Sequence, residues 1–337
     1  MTHTIRALPA SWHRPLLLMS LLMAGLALVA AAGLAVDDRM LLTESVWAKP
    51  LKFAVSFTIF GLTLAALIPR LTRFRRTLWW LGTVFAATGV VDVGFIALQA
   101  ARGTFSHFNT DSDPINAIGQ QIFSSGVIGL FGATIVIAVL ILLQRVGDAA
   151  LTRALRAGLL LVTAGMAVAF GIAGGGGSRT VPDANGRPVT LSGAHGVGVP
   201  DGGGMPVTNW STTGGDLRVP HFVGLHAIQV LVLFVLLLGF LAGRVLWLRD
   251  ERVRVRLTGV AVLGCSGVFA ITTWQAVRGQ SLVDPDGLTL LAVAALVAVC
   301  AVWAVGTVVA ARRRSALTRS GDRSDAPAPA WPAPGGG

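Results

Sequence analysis

Apolar residues run in long blocks along this chain, and short polar stretches rich in arginine separate them. A hydrocarbon core of ~30 Å needs ~20 apolar residues per spanning helix. Stretches at about 15–36, 47–68, 77–102, 114–143, a fifth ending near 173, then 220–247, 257–277 and 287–310 meet that test. The pattern predicts an all-α integral membrane protein, a bundle of eight transmembrane helices. The first block resembles a signal peptide, with Ala30-Ala31-Ala32 as a cleavage site. Its apolar run exceeds the usual signal-peptide core of ~7–15 residues, so it reads as a retained helix.

Local signals sharpen the boundaries. Pro50 and Pro220 suit first turns of helices, Asp113-Pro114 reads as a cap and first turn, and Asp284-Pro285 reads as the cap of the last helix. Residues 174–219 break the apolar rhythm with glycines at 174–177 and 202–204, and Asn185-Gly186 between Val181 and Val189 signals a hairpin. A loop this long is either a lid or a Gly-rich spacer. The expected layout is a cytoplasmic N-terminus over 1–14, helices one to four over 15–145, and helices five to eight over 146–310 with an outer loop at 174–219. A tail rich in Ala and Pro over 311–337 is expected to be disordered and cytoplasmic.

Charge adds orientation. The chain carries a formal net charge of +11, yet only 13% of its residues are charged and 53% are hydrophobic. The arginines cluster between apolar blocks, at Arg70 to Arg76, Arg145 to Arg156, Arg244 to Arg256 and Arg312 to Arg314. That is the placement of the positive-inside rule. It puts both termini in the cytoplasm and makes lipid, not nucleic acid, the partner implied by the basic balance. Cys265 and Cys300 lie inside apolar blocks without metal spacing and read as reduced structural thiols.

One motif recurs. Gln99-Ala100-Ala101-Arg102-Gly103 closes the third block, and Gln275-Ala276-Val277-Arg278-Gly279, identical at all but one position, closes the seventh. The match pairs helices one to four with helices five to eight as two parallel four-helix repeats about an axis along the membrane normal, an arrangement in which a substrate binds between the halves. A short match in an apolar chain also arises by chance. Trp47-Ala48-Lys49-Pro50-Leu51-Lys52-Phe53, the stretch from Gln99 to Asn109, and Pro220-His221-Phe222-Val223-Gly224-Leu225-His226-Ala227-Ile228-Gln229 together resemble a family of bacterial multi-pass inner-membrane proteins, over roughly residues 44–290. The resemblance implies the cytoplasmic (inner) membrane of a bacterium. It brings no catalytic assignment, so no role is transferred.

Polar side chains within a membrane are costly and usually face a bundle interior or a wet cavity. Asp92 falls near the expected midplane, with Gln99 two turns outward on nearly the same face. Asp92 reads either as a proton acceptor or cation ligand, or as a carboxyl bonded to a neighbouring helix. Lys49, Lys52 and Ser56 share a helix face at the outer mouth. Snorkelling accounts for both lysines, and Lys52 has the second option of turning inward. His221 and His226 are separated by ~140° around a helix, so they do not chelate one metal as an i, i+4 pair does. His226 shares a face with Gln229. His107 and Asn109 lie in the facing loop, Gln121 near the outer end of the fourth helix, and Arg102 and Arg278 at the rim.

The candidate ligand-binding or proton-coupling residues are therefore Lys52, Asp92, Gln99, Arg102, His107, Asn109, Gln121, His221, His226, Gln229, Gln275 and Arg278. The preferred reading is a polar pocket open to the outer face that transports or binds a small polar or anionic molecule. A membrane-embedded enzyme or redox protein using His107, His221 and His226 with haem, metal, lipid or quinone is the alternative, and a sensor or assembly factor is the third. No nucleophile elbow, HExxH or CxxCH motif is present, and no cofactor is required by any motif.

Overall fold

The computed structural model describes residues 12–173 and 175–324. Its helices are α1 (Arg14–Val36), α2 (Ala48–Leu67), α3 (Arg75–Ala101), α4 (Pro114–Leu142), α5 (Ala149–Ala173), α6 (Arg218–Leu241), α7 (Glu251–Val277) and α8 (Gly287–Ser324). All eight of these are long and apolar enough to cross a membrane, so the chain is an all-α, multi-pass bundle. Pro50 and Pro220 each occupy the third residue of their helix, where a missing N–H leaves no intrahelical bond unmade. α8 continues past residue 310 through Arg312, Arg313 and Arg314 to Ser324. The rest of the tail, like residues 1–11 of the expected cytoplasmic lead, lies outside the described residues. α6 ends at Leu241, earlier than its apolar block, and a 3-10 turn at Leu246–Arg249 takes the remainder.

The same packing plan occurs twice. α1 lies along α2 as α5 lies along α6. α3 rests on both α1 and α2 and packs against α4, as α7 rests on both α5 and α6 and packs against α8. The halves meet where α4 packs on α5 and where α2 touches α6. Helix association in lipid depends on close approach, because hydrocarbon offers no hydrophobic drive of its own. One close approach is between Gly165 of α5 and Gly224 of α6, where a Cβ on Gly224 would stand 2.6 Å from the Gly165 Cα and 2.8 Å from the Leu161 carbonyl. The main core joins both halves through Leu16, Met19, Leu64, Phe85, Ile137, Leu159 and Ile228.

The helix ends sort the loops onto two faces. On the arginine-rich face, the Arg73 N–H donates to Gln144 at 2.8 Å and Arg254 pairs with Asp148 at 3.1 Å. The opposite face carries an ordered cap. β3 (Ser178–Pro182) and β4 (Pro188–Ser192) form an antiparallel hairpin that pairs Val181 with Val189 across Asn185-Gly186, with Gly186 at a φ of +76°. Two shorter hairpins flank it: β1 (Met40–Leu41) with β2 (Glu44–Ser45), and β5 (Gly196–Val197) with β6 (Gly215–Asp216).

The 175–217 segment is a cap and not a loose spacer, because it is bonded to the loops of both halves on this face. Ala184 N–H donates to the Gly103 carbonyl at 2.9 Å, Thr110 N–H to the Thr190 carbonyl at 2.9 Å, and Ser192 N–H to the Phe108 carbonyl at 2.8 Å. In the second half the Ser281 hydroxyl donates to the Ser211 carbonyl at 2.9 Å.

Candidate functional site

The repeated motif builds a helix end. In both copies the arginine N–H closes on the carbonyl four residues back, and the glycine takes a positive φ, +69° at Gly103 and +73° at Gly279. That is the left-handed geometry a glycine accepts at a helix C-terminus without steric cost. Each glutamine amide then spans the turn: Gln99 donates to the Phe105 carbonyl at 3.4 Å, and Gln275 to the Ser281 carbonyl at 2.7 Å. Each arginine pairs with the aspartate that caps the following helix, Arg102 with Asp113 at 2.8 Å and Arg278 with Asp286. The Arg278 guanidinium, and after it the Thr289 N–H, hold the Asp286 carboxyl well below the usual carboxylate range. The cap of α8 is therefore Asp286 and not Asp284-Pro285, since Thr289 N–H donates to Asp286 at 2.8 Å.

Several expected site residues consequently serve packing. Gln99 is fully buried, accepts from Arg102 at 2.7 Å and donates to Asn116 at 2.9 Å. Asn109 accepts from the Asp111 N–H at 2.9 Å and from Asn116 at 3.2 Å. Arg102 and Arg278 are staples between successive helices, and Gln275 belongs to the second staple. His221 bonds to the Gly165 carbonyl at 2.8 Å beside the glycine contact. Gln229, with its amide nitrogen toward the backbone, donates to the His226 and Leu225 carbonyls. Gln121 is exposed, while its neighbour Gln120 reaches the Ser106 carbonyl at 3.1 Å.

Asp92 stands apart. It is only 3% exposed, both carboxyl oxygens lack a hydrogen-bond partner, and the groove that holds it exists because α4 has no side chain at Gly126, where a Cβ would meet Oδ1 at 2.1 Å. The pocket expected to join Asp92, Gln99 and His226 is not one space. These residues point into the α3–α4 interface, the α3–α4 turn and the α2–α6 contact respectively.

A different cluster forms beneath the cap. The rings of His107 and His195 lie 6.4 Å apart at 22°. Phe123 of α4 and Phe53 of α2 pack on His107 at 4.6 and 5.8 Å, and Phe108 packs on His195 at 5.0 Å. Phe108 holds a positive φ of +62°, an unfavourable conformation for a bulky residue that the surrounding bonds must impose. The Ser106 hydroxyl and His107 Nδ1 are 3.2 Å apart, which leaves Nε2 of His107 unbonded, and His195 makes no side-chain hydrogen bond. One turn along α2 from Phe53, Ser56 meets His226 Nε2 at 3.4 Å.

Three cations surround these rings. Lys52 pairs with Glu44 and donates to the Thr208 carbonyl at 3.0 Å. Arg218 pairs with the buried Asp216 at 2.6 Å. Lys49 makes no hydrogen bond or ion pair among the described residues, yet lies near enough to act on both His107 and His195. Burial first, then the charges of Lys49 and, for His195, Arg218, push both imidazoles well below their ordinary pKa. The rings are therefore neutral at pH 7. Among the described residues no group of three or more His, Cys, Asp and Glu gathers in a metal-binding arrangement.

Comparison with protein-family models, with curated proteins and with solved structures gives no match. The cluster must be judged by its own chemistry. Sequence reasoning named His107, His226 and Lys52 as candidates, and read Lys49 as an interfacial lysine. It missed His195, whose only signal was a histidine placed among small residues in a glycine-rich loop.

The depressed imidazoles set a pH dependence. Unfolded histidine titrates near pH ~6.5, so below that value the unfolded chain binds protons that folded His107 and His195 refuse. Stability from these groups is complete above pH ~6.5 and falls as the pH drops toward their folded values. Melting of the detergent-solubilised protein from pH 7.5 to 5 should show this loss, and His107→Phe should reduce it. An unfolding temperature that stays level across that range would contradict the assignment of buried, neutral rings.

Proposed function

We propose that this protein binds a small anion beneath its cap, at the end of the bundle opposite the arginine-rich loops. The observation that carries the reading is Lys49. It makes no hydrogen bond or close ion pair, its nearby carboxylate Glu44 is bonded to Lys52, and it lies near enough to act on two neutral imidazoles with unbonded ring nitrogens. The positive-inside rule supports placing the arginine-rich face in the cytoplasm, here of a bacterial inner membrane, and the cap outside. The reading is of binding first. Transport would need the halves to rearrange where α4 meets α5. Asp92, unpartnered in the α3–α4 interface, is the group at which a proton or small cation would join that movement.

The test uses the purified full chain in nanodiscs, titrated calorimetrically with acetate, benzoate, sulfate and inorganic phosphate. At least one should bind saturably, and Lys49→Gln should weaken it tenfold or more, about 1.4 kcal/mol, while Lys49→Arg retains most of the affinity. No saturable binding, or equal binding by Lys49→Gln, would refute the reading. Uptake of the bound anion into vesicles then separates a carrier from a receptor.

A further inference from the structure

The charge count and the walls of the cluster say more than that the ligand is an anion. Lys49, Lys52 and Arg218 share two carboxylates, Glu44 and Asp216, and among these three cationic side chains only Lys49 has no close ion pair of its own. A monovalent anion neutralises the charge of Lys49. A dianion would leave a buried negative charge facing two imidazoles that supply only neutral donors. Phosphate and sulfate sites recruit arginine forks or runs of backbone N–H groups, and here the one nearby guanidinium is already committed to Asp216.

The walls are aromatic. Phe53 and Phe123 pack against the His107 ring, and Phe108 lies edge-on beside both histidines, 6.1 Å from His107 and 5.0 Å from His195. Aromatic faces and edges favour offset or edge-on contact with a flat apolar body. We infer that the ligand is a monocarboxylate with a flat or short apolar body, its carboxylate on Lys49 and an imidazole N–H, its body among Phe53, Phe108 and Phe123. Oxyanions of higher charge fit this site less well.

This inference rests on the anion-binding reading and refines it. The experiment compares benzoate, its neutral isostere benzamide, sulfate and inorganic phosphate at pH 7.5 on the full chain in nanodiscs, with empty nanodiscs as the blank. Benzoate should bind at least tenfold more tightly than benzamide, sulfate or phosphate, and Phe123→Ala should weaken benzoate at least fivefold while leaving acetate within twofold. The ranking uses the unaltered protein, so it survives a variant that fails to fold. Sulfate or phosphate binding as tightly as benzoate through Lys49 would overturn the ligand class and leave the anion site standing. Benzamide matching benzoate would overturn the role of the carboxylate, and failure of every anion would remove the site itself.

Discussion

Replacing Asp216 with asparagine should release the cap. Asp216 is 2% exposed and gathers Arg218 Nη2 at 2.6 Å, the Arg218 N–H at 2.9 Å and the Ser211 N–H at 2.8 Å. It thereby ties the first turn of α6 to Ser211 in the cap segment. Removing one partner of a buried ion pair strands the other charge, at a cost of ~3–5 kcal/mol. Arg218 is about a quarter exposed, so the lower end, ~3 kcal/mol, is the expected loss. Local opening is measured by amide exchange, and protection in residues 195–217 should fall by roughly a hundredfold while α1 to α4 keep theirs. Uniform loss across the bundle, or none, would show that the cap is not held at this point.

Gly224→Leu should have a comparable effect about two turns into α6, inside the bundle. The Cβ alone would meet backbone atoms of Gly165 and Leu161, which have no rotamer by which to yield. Overpacking costs ~1–3 kcal/mol where side chains can adjust, so a backbone-on-backbone clash should reach ~3 kcal/mol or separate α5 from α6. The same movement would break the bond from His221 to the Gly165 carbonyl. Thermal unfolding of the purified variant should shift downward by several degrees. Gly243→Leu, placed at the end of α6 with only the Phe240 carbonyl nearby at 3.3 Å, serves as the comparison. Equal stability of the two variants would argue against the glycine crossing.

The spans were legible because the bilayer imposes one simple demand, apolar length, and the chain meets it plainly. The Asn185-Gly186 hairpin was legible for a similar reason, since a glycine after an asparagine readily takes the positive φ that closes such a turn, as Gly186 does. The site was not. Gln99, Arg102, Gln275 and Arg278 stood out as polar groups in an apolar chain, yet a polar group needed to close a helix end looks the same in sequence as one that meets a ligand. Lys49 and Lys52 differ by one turn. Only the position of Glu44 and of the Thr208 carbonyl decides that Lys52 is satisfied and Lys49 is not. His195 lies far in sequence from His107, and the pairing of Leu191 with Asn109 that brings its segment close has no local signature.

His195 travels with the outer segment, whereas Lys49 and His107 belong to the bundle. A molecule gripped by both would delay its own departure, because leaving requires that segment to lift first. Dissociation rates across a series of such molecules would then converge on a single value set by the protein. Differences in affinity would surface instead in how fast each one arrives.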